Sequence, residues 1–300
     1  MKERLVLLGT KGGPAIRPLP QGGSGPWPTS SLVEIEGKRI VIDCGLGVTR
    51  GLVDAGVRLA ELDLIFITHL HSDHVLELGP LIHTAWTAGL KTPVTVHGPV
   101  GIVDYFTGFL ASMRFDIDLR IADEGRPDLR GLIHVIEFSE GVVLEEDGLT
   151  VAALRVDHPP VTECFALRFE VEDACIVFSS DTACFPPLAE FARGADILVH
   201  EAMLAAGVDR LVARTGNGDR LKQHLIASHT MAEDAGHIAS LAGVGHLVLH
   251  HLIPADDPEF SEADWLAAVA KTWDGRLTIG RDGLEIALPA AKAETGRESA

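Results

Sequence analysis

Aromatic side chains make up only 5% of the 300 residues, and tyrosine occurs once. Cysteine is as sparse. Cys44, Cys164, Cys175 and Cys184 show no Cys-x-x-Cys spacing and offer no disulfide framework, so they read as small buried hydrophobes in a reducing, cytoplasmic setting. No apolar stretch approaches the roughly 18 residues that a membrane span needs. The run Leu5 to Leu8, ended by Gly9 and Thr10, is too short for a signal peptide. Basic residues number 25 against 43 acidic ones, for a formal charge of −18, and no run of Lys and Arg forms a local patch. That balance opposes a polyanionic partner such as nucleic acid.

What is present is apolar and glycine-rich, at 46% hydrophobic residues with 31 glycines, which suits an α/β protein with a large buried core. No stretch has the composition of a linker, so residues 1–300 read as one domain, with 289–300 a small, polar, disordered tail. Leu5 to Leu8 reads as a strand. Residues 9–28 hold six glycines and five prolines, which forbid regular structure. The segment is a plain surface loop or one that brings Arg17 or Trp27 to a substrate. A hairpin over 31–35 and 39–43 follows, then a helix at 49–60 and a strand at 64–68. Further on come a helical pattern over 74–89, a strand at 94–97, a helix over 102–113 and a charged surface excursion over 116–131. Trp86, Tyr105, Phe106, Phe109 and Phe115 concentrate the scarce aromatics, as core or as an apolar substrate pocket. Strands at 132–138, 149–157, 164–171 and 174–179 lead into helices at 186–193, 231–242 and 261–271, with strands at 196–200, 246–250 and 276–279 between and after them.

The stretch that organises the chain is His69-Leu70-His71-Ser72-Asp73-His74, which follows the apolar strand Leu64 to Ile67. His69 and His71 are two apart, so extended backbone projects both to one side, where they can grip one ion. Asp73 and His74 fall where the chain turns into a helix, point elsewhere and can hold a second ion. Four ligand-type side chains at this spacing read as a metal site. Other strand ends carry similar groups: Asp43 after Ile40-Val41-Ile42, His158 before Pro159-Pro160, Asp181 after Ile176 to Phe178, and the pair His250-His251. Each has a plain structural alternative, as a strand-end cap, a buried histidine or a helix N-cap. Of the adjacent pair only one can face a site, because successive strand side chains point to opposite faces.

His-x-His-x-Asp-His after a hydrophobic strand resembles the signature of the metallo-β-lactamase superfamily of metal-dependent hydrolases. The resemblance implies a four-layer αβ/βα sandwich with the site at one edge of two facing sheets. It implies that His69, His71 and His158 bind one ion, that Asp73, His74 and His251 bind the other, and that Asp181 bridges them. It selects His251 over His250, which stands where the family usually has threonine, and makes Asp43 a partner to the far ring nitrogen of a ligand histidine. Two divalent ions are implied; nitrogen and oxygen ligands without thiolate suit Zn²⁺, with Mn²⁺ and Fe²⁺ also compatible.

His200-Glu201-Ala202 and Ser228-His229-Thr230 resemble motifs of the ribonuclease Z-like branch, which also takes in arylsulfatase-like enzymes. They imply His229 as proton donor or oxyanion stabiliser and His200 and Glu201 as support behind the ligands, with a capped helix start as the alternative reading of Ser228-His229-Thr230. Asp73 would orient the water activated between the ions. Segments outside the metal motifs, Glu124 to Leu129 and His251 to Pro258, resemble a bacterial subgroup that includes hydrolytic chlorothalonil dehalogenase. Ribonuclease Z itself carries a long Gly/Pro-rich arm between the third imidazole and the bridging aspartate, whereas here one hairpin fills that interval. The expected activity is therefore hydrolysis of a small, partly apolar ester, lactone, sulfate ester, phosphodiester or haloaromatic. An RNA-processing phosphodiesterase and a diiron oxidoreductase on the same fold are the alternatives. The expected partner is a small molecule, with no nucleic acid and no membrane, and a homodimer is open. His83, His97, His134, His224, His237 and His246 read as surface or core residues without a site role.

Overall fold

The computed structural model describes residues 3–19, 22–216 and 218–289, so the expected tail from residue 290 onward lies outside the described residues. The first sheet is built from β1 (Arg4–Gly9), β2 (Ser30–Ile35), β3 (Lys38–Ile42), β4 (Leu64–Phe66), β5 (Val94–Gly98) and β6 (Ile133–Glu137). Helices α1 (Val48–Asp54), α2 (Ser72–Val75), α3 (Leu78–Thr87), α4 (Ile102–Ser112) and α5 (Arg114–Glu124) fall between those strands. The second sheet follows with β7 (Gly141–Glu146), β8 (Leu149–Arg155), β9 (Phe165–Glu170), β10 (Cys175–Phe178), β11 (Ile197–Met203), β12 (His246–Ile253) and β13 (Arg276–Ile279). Its helices are α6 (Pro187–Phe191), α7 (Ala205–Thr215), α8 (Gly218–Ser228), α9 (Ala232–Ala242) and α10 (Glu262–Val269). The chain then returns to the first sheet as β14 (Leu284–Ala287).

Strand order is β14-β1-β2-β3-β4-β5-β6 in one sheet and β13-β12-β11-β10-β9-β8-β7 in the other. Each is mixed: β3 to β6 run parallel, as do β10 to β13, and the remaining pairings are antiparallel. Period-2 alternation sorts each strand's apolar residues between two layers. Leu5, Leu7, Ile40, Ile42 and Phe66 point into the space between the sheets, where they meet Phe165, Phe169, Ile176 and Val199. Val6, Leu8, Val41 and Ile65 face the other way, against α1, α3 and α4. Val177, Leu198, Leu247 and Leu249 likewise pack on α6, α9 and α10. Helix, sheet, sheet, helix is the layering expected. It leaves the carboxyl ends of the parallel strands of both sheets at one edge, where open α/β sheets hold ligands.

Several local expectations are revised. The charged stretch after residue 113 is the helix α5, which buries only Ile117. The expected helix over 74–89 is two helices, α2 and α3, broken at Leu76 and Glu77. Residues 205–228, unassigned from sequence, form α7 and α8, with residue 217 between them outside the described residues. Of the clustered aromatics, Trp86 and Phe106 are buried against the first sheet, and Phe115 is 82% exposed. Cys184 is exposed, whereas the other three cysteines are buried. Among the described residues no helix is long and apolar enough to cross a membrane.

Candidate metal centre and substrate pocket

The chain leaves β4 at Phe66, and His69 and His71 project from the extended segment before α2, which carries Asp73 and His74. His158 follows β8, Asp181 follows β10, and His251 lies within β12. These seven side chains, scattered over more than half the sequence, converge. His69, His71, His158 and Asp181 bring ligand atoms within 4.8 Å of one another, and so do Asp73, His74, Asp181 and His251. Asp181 is common to both groups. Its Oδ2 lies 3.7 Å from His69 Nε2, 3.9 Å from His158 Nε2, 3.3 Å from His74 Nε2 and 3.1 Å from His251 Nε2. Asp73 Oδ2 lies 3.3 Å from His251 Nε2 and also accepts from Gly13 N at 2.7 Å.

Outer hydrogen bonds set which ring nitrogen faces inward. His74 Nδ1 donates to Asp43 Oδ2 at 2.7 Å, and His158 Nδ1 donates to the Ser228 carbonyl at 2.8 Å, so each Nε2 is turned toward the cluster. Asp43 also accepts from Thr68 N at 2.8 Å and from Thr68 Oγ1, and that hydroxyl lies 3.2 Å from His69 Nδ1. One carboxylate thus braces His74 directly and His69 through Thr68. Backbone geometry serves the same end. Asp43 (φ 60°), Ser180 (φ 56°) and His251 (φ 44°) are all left-handed, at the points where β3, β10 and β12 meet the site. Each costs on the order of 1 kcal/mol or more, and such strain concentrates at functional sites.

Several inward-facing atoms have no hydrogen-bond partner. His158 Nε2 lies 3.1 Å from His71 Nδ1, nitrogen to nitrogen. His69 Nε2, His74 Nε2 and Asp181 Oδ1 are buried without a hydrogen-bond partner. Lone pairs of imidazole and carboxylate brought together this way demand positive charge between them, and divalent cations supply it. The titration of the bare groups expresses the same demand. Burial lowers His69, with His74 adding to the effect. Burial alone would lower His251 too, but Asp181 and Asp73 outweigh it and raise it to about 10. Burial would likewise raise Asp73, yet His74 and His251 hold it well below the usual carboxylate range.

His250 and His251 separate as strand alternation requires. His250 Nε2 meets the Gly9 carbonyl at 2.8 Å, away from the cluster. The pairing of β11 with β12 shifts register between Glu201 and Ala202, beside His251. Gly12 lies against the same ring, and a Cβ there would fall 2.8 Å from His251 Nδ1. Glu201 accepts from Thr182 N at 2.7 Å and from His229 Nδ1 at 3.0 Å, so it braces His229 behind the centre. His200 is not brought to the site. It neighbours Glu201 on β11 and must face the opposite way, and its Nδ1 donates to the Glu201 carbonyl at 2.7 Å. Nor is Ser228-His229-Thr230 a capped helix start, since Ser228 is the last residue of α8 and α9 begins after Met231.

A cavity of about 420 Å³ opens on this cluster. Its lining includes His71, Asp73, Asp181, His229 and His251, with Lys11 and Arg17 on the side of the N-terminal loop and Leu211, Leu221, His224 and Leu225 on the side of α7 and α8. The loop after β1 is therefore a pocket wall at Arg17. Trp27 belongs instead to a larger cavity of about 650 Å³, which holds none of the gathered histidines. Sequence reasoning missed Lys11 and His224. His224 stands one helical turn before Ser228-His229, a spacing that could have flagged it.

Comparison with known proteins agrees with this geometry. The family model described as anti-Pycsar protein Apyc1 matches residues 24–213. The chain belongs to this family. The Apyc1-family chain is also 35% identical over 257 residues to a ribonuclease Z of Mycobacterium sp. (strain KMS), covering 84% of this chain and 87% of that protein. Among solved structures it is similar to the metallo-β-lactamase fold protein YhfI from Bacillus subtilis, with a TM-score of 0.70 at 21% identity, covering 95% of this chain and 99% of that one. The short form of human tRNase Z gives a TM-score of 0.66 at 20% identity, covering 96% and 100% of the two chains. The fold is that of the metallo-β-lactamases, and this Apyc1-family member is a metal-dependent hydrolase with a His/Asp metal site.

Proposed function

We propose that the chain hydrolyses a small phosphodiester of nucleotide size at a pair of divalent cations. The observation that carries this reading is the charge of the pocket wall. In a chain with a formal charge of −18, Lys11 and Arg17 line the cavity at the metal cluster, and Arg17 shares Asp256 with Arg214. Lys11 is 4% exposed, and its Nζ donates to the carbonyls of Gly12 and Gly13, each at 3.0 Å. Two cations in the wall of so acidic a chain, with Arg17 held by Asp256, favour an anionic substrate over a neutral ester, lactone or haloaromatic. The apolar face of Leu211, Leu221 and Leu225 suits a base or another flat apolar group. The ribonuclease Z relatives are named for phosphodiester cleavage, which supports the same bond type.

His69, His71, His158 and Asp181 would hold one cation, and Asp73, His74, His251 and Asp181 the other. Zn²⁺ suits this nitrogen and oxygen set, and Mn²⁺ or Fe²⁺ share its preferences. The cations, when bound, supply Lewis acidity that acidifies water and takes up developing negative charge. Asp73, fixed by Gly13 N, orients the attacking water. His229 serves the leaving group: burial would lower it, but the Glu201 carboxylate outweighs burial and raises it, so the ring carries a proton to give.

The test is metal analysis together with a panel of bis(p-nitrophenyl) phosphate, 3′,5′-cyclic nucleotides, p-nitrophenyl acetate, a lactone, an aryl sulfate and a haloaromatic. Metal-dependent turnover of the phosphodiesters is expected; turnover confined to uncharged substrates overturns the reading. A second reading, tRNA processing, is favoured by the ribonuclease Z relatives. The acidic surface weighs against it, as does the single hairpin of β9 and β10 between His158 and Asp181. Salt-sensitive binding and 3′ cleavage of a precursor tRNA would establish it.

A further inference from the structure

His224 reaches the pocket from α8, with its ring 6.3 Å from that of His158 and 6.1 Å from that of His229, centroid to centroid. It is half-buried, whereas those two rings are buried. A hydrogen-bond chain fixes which nitrogen it shows. The Ser228 hydroxyl donates to the Pro159 carbonyl at 2.5 Å, and a carbonyl can only accept. The same Oγ lies 3.3 Å from His224 Nδ1. With its one proton on Pro159, Ser228 can meet that nitrogen only as an acceptor, so Nδ1 carries the ring proton. Nε2 of the neutral ring is left as a lone pair. At pH 8 the ring is neutral, since an imidazole ordinarily titrates at about 6.5.

Apart from the carboxylates of the metal cluster, this gives the wall a fixed acceptor among donors. Lys11 and Arg17 can only donate, and Ser72 and Thr215 can turn either way. We propose that His224 Nε2 accepts a hydrogen bond from a sugar hydroxyl of the substrate, so that the site selects ribose over deoxyribose phosphodiesters. This rests on the phosphodiester reading above. A sugar hydroxyl fits better than a base N–H because His224 lies a single ring's width from His158 and His229, which border the reacting group. In a nucleotide the sugar, not the base, is joined directly to the phosphoryl group.

The matched probes are 3′,5′-cyclic AMP and its 2′-deoxy analogue, which differ in the only free sugar hydroxyl. At pH 8, kcat/KM for the ribose form should exceed that for the deoxy form by about tenfold, the size expected when a pocket acceptor loses its donor. The ratio should fall to within about twofold of unity in His224→Ala, and recover in part in His224→Gln, whose amide oxygen can accept. A ratio near one in the wild type, or one unmoved by His224→Ala, overturns the proposal. Calorimetric titration of the metal-loaded protein with the same pair gives the affinity ratio without turnover. Failure to cleave either probe or bis(p-nitrophenyl) phosphate therefore sinks the phosphodiester reading alone, while the affinity ratio still decides the role of His224.

Discussion

Replacing Asp43 with Asn tests whether this carboxylate governs metal affinity without touching a cation. Asp43 is 3% exposed and left-handed, a conformation that Asn tolerates better than most residues with a side chain, so shape and backbone are preserved. What changes is the count of acceptors. Both oxygens of Asp43 receive donors, Thr68 N at 2.8 Å on one and His74 Nδ1 at 2.7 Å on the other. An amide has one acceptor, and either flip sets its NH₂ against an N–H. If that N–H is His74 Nδ1, the ring escapes by moving its proton to Nε2, which then cannot bind a cation. Losing a charge-assisted hydrogen bond costs about 1.5–3 kcal/mol. That corresponds to a drop in metal affinity on the order of 10- to 100-fold, the range typical for such outer partners. Competition with a chromophoric chelator measures it, with circular dichroism to show that the fold persists. Wild-type affinity in a folded Asp43→Asn protein would refute the bracing role.

Asp181→Ala, which removes the oxygen common to both groups, should abolish bound metal and activity together; mass-spectrometric metal analysis checks it, and an active, metal-free variant would contradict it. Gly12→Ala would drive a methyl to 2.5 Å from Ile253 Cγ1 and 2.8 Å from the His251 ring, so metal content should fall from two ions toward one with the fold retained. His246, far from the site, is pushed down to about 4 by burial and then by Arg276. Its folded value lies below its unfolded one, so the unfolded chain binds the extra proton and stability is lost as pH falls from about 6.5 to 4. Thermal melts across that range should show the loss, and His246→Gln should flatten it.

Much of the centre could be read from the sequence because strand ends announce it. His69 to His74, His158 and Asp181 each follow an apolar run, and the structure gathers all of them. Alternation also requires that His250 and His251 part company, but which one turns inward depends on a register shift and a left-handed residue that no periodicity reports. The same rule applied to His200 and Glu201 allows only one of them at the site, and the structure makes it Glu201. The pocket wall was hidden for a different reason. Helix α7 buries only Gly207 and Val208, α8 only Leu225 and Ser228, and α5 only Ile117. The stripes they carry, Val208, Leu211 and Val212 in α7 and Leu221 and Leu225 in α8, are short and mostly half-buried, a weak pattern to set against a loop. Lys11 has no signal of its own, since its partners are backbone carbonyls, and the one trace of His224 is its place a helical turn before Ser228.

The α7–α8 hairpin has a consequence for how such an enzyme changes over time. It is inserted between Met203 and His229, holds none of the seven converging side chains, yet supplies a face of the cavity. Exchange of that segment short of Ser228, whose carbonyl holds His158, would alter which molecules gain entry while leaving the bond-breaking chemistry intact. Selection can therefore retune diet and reactivity separately on this scaffold.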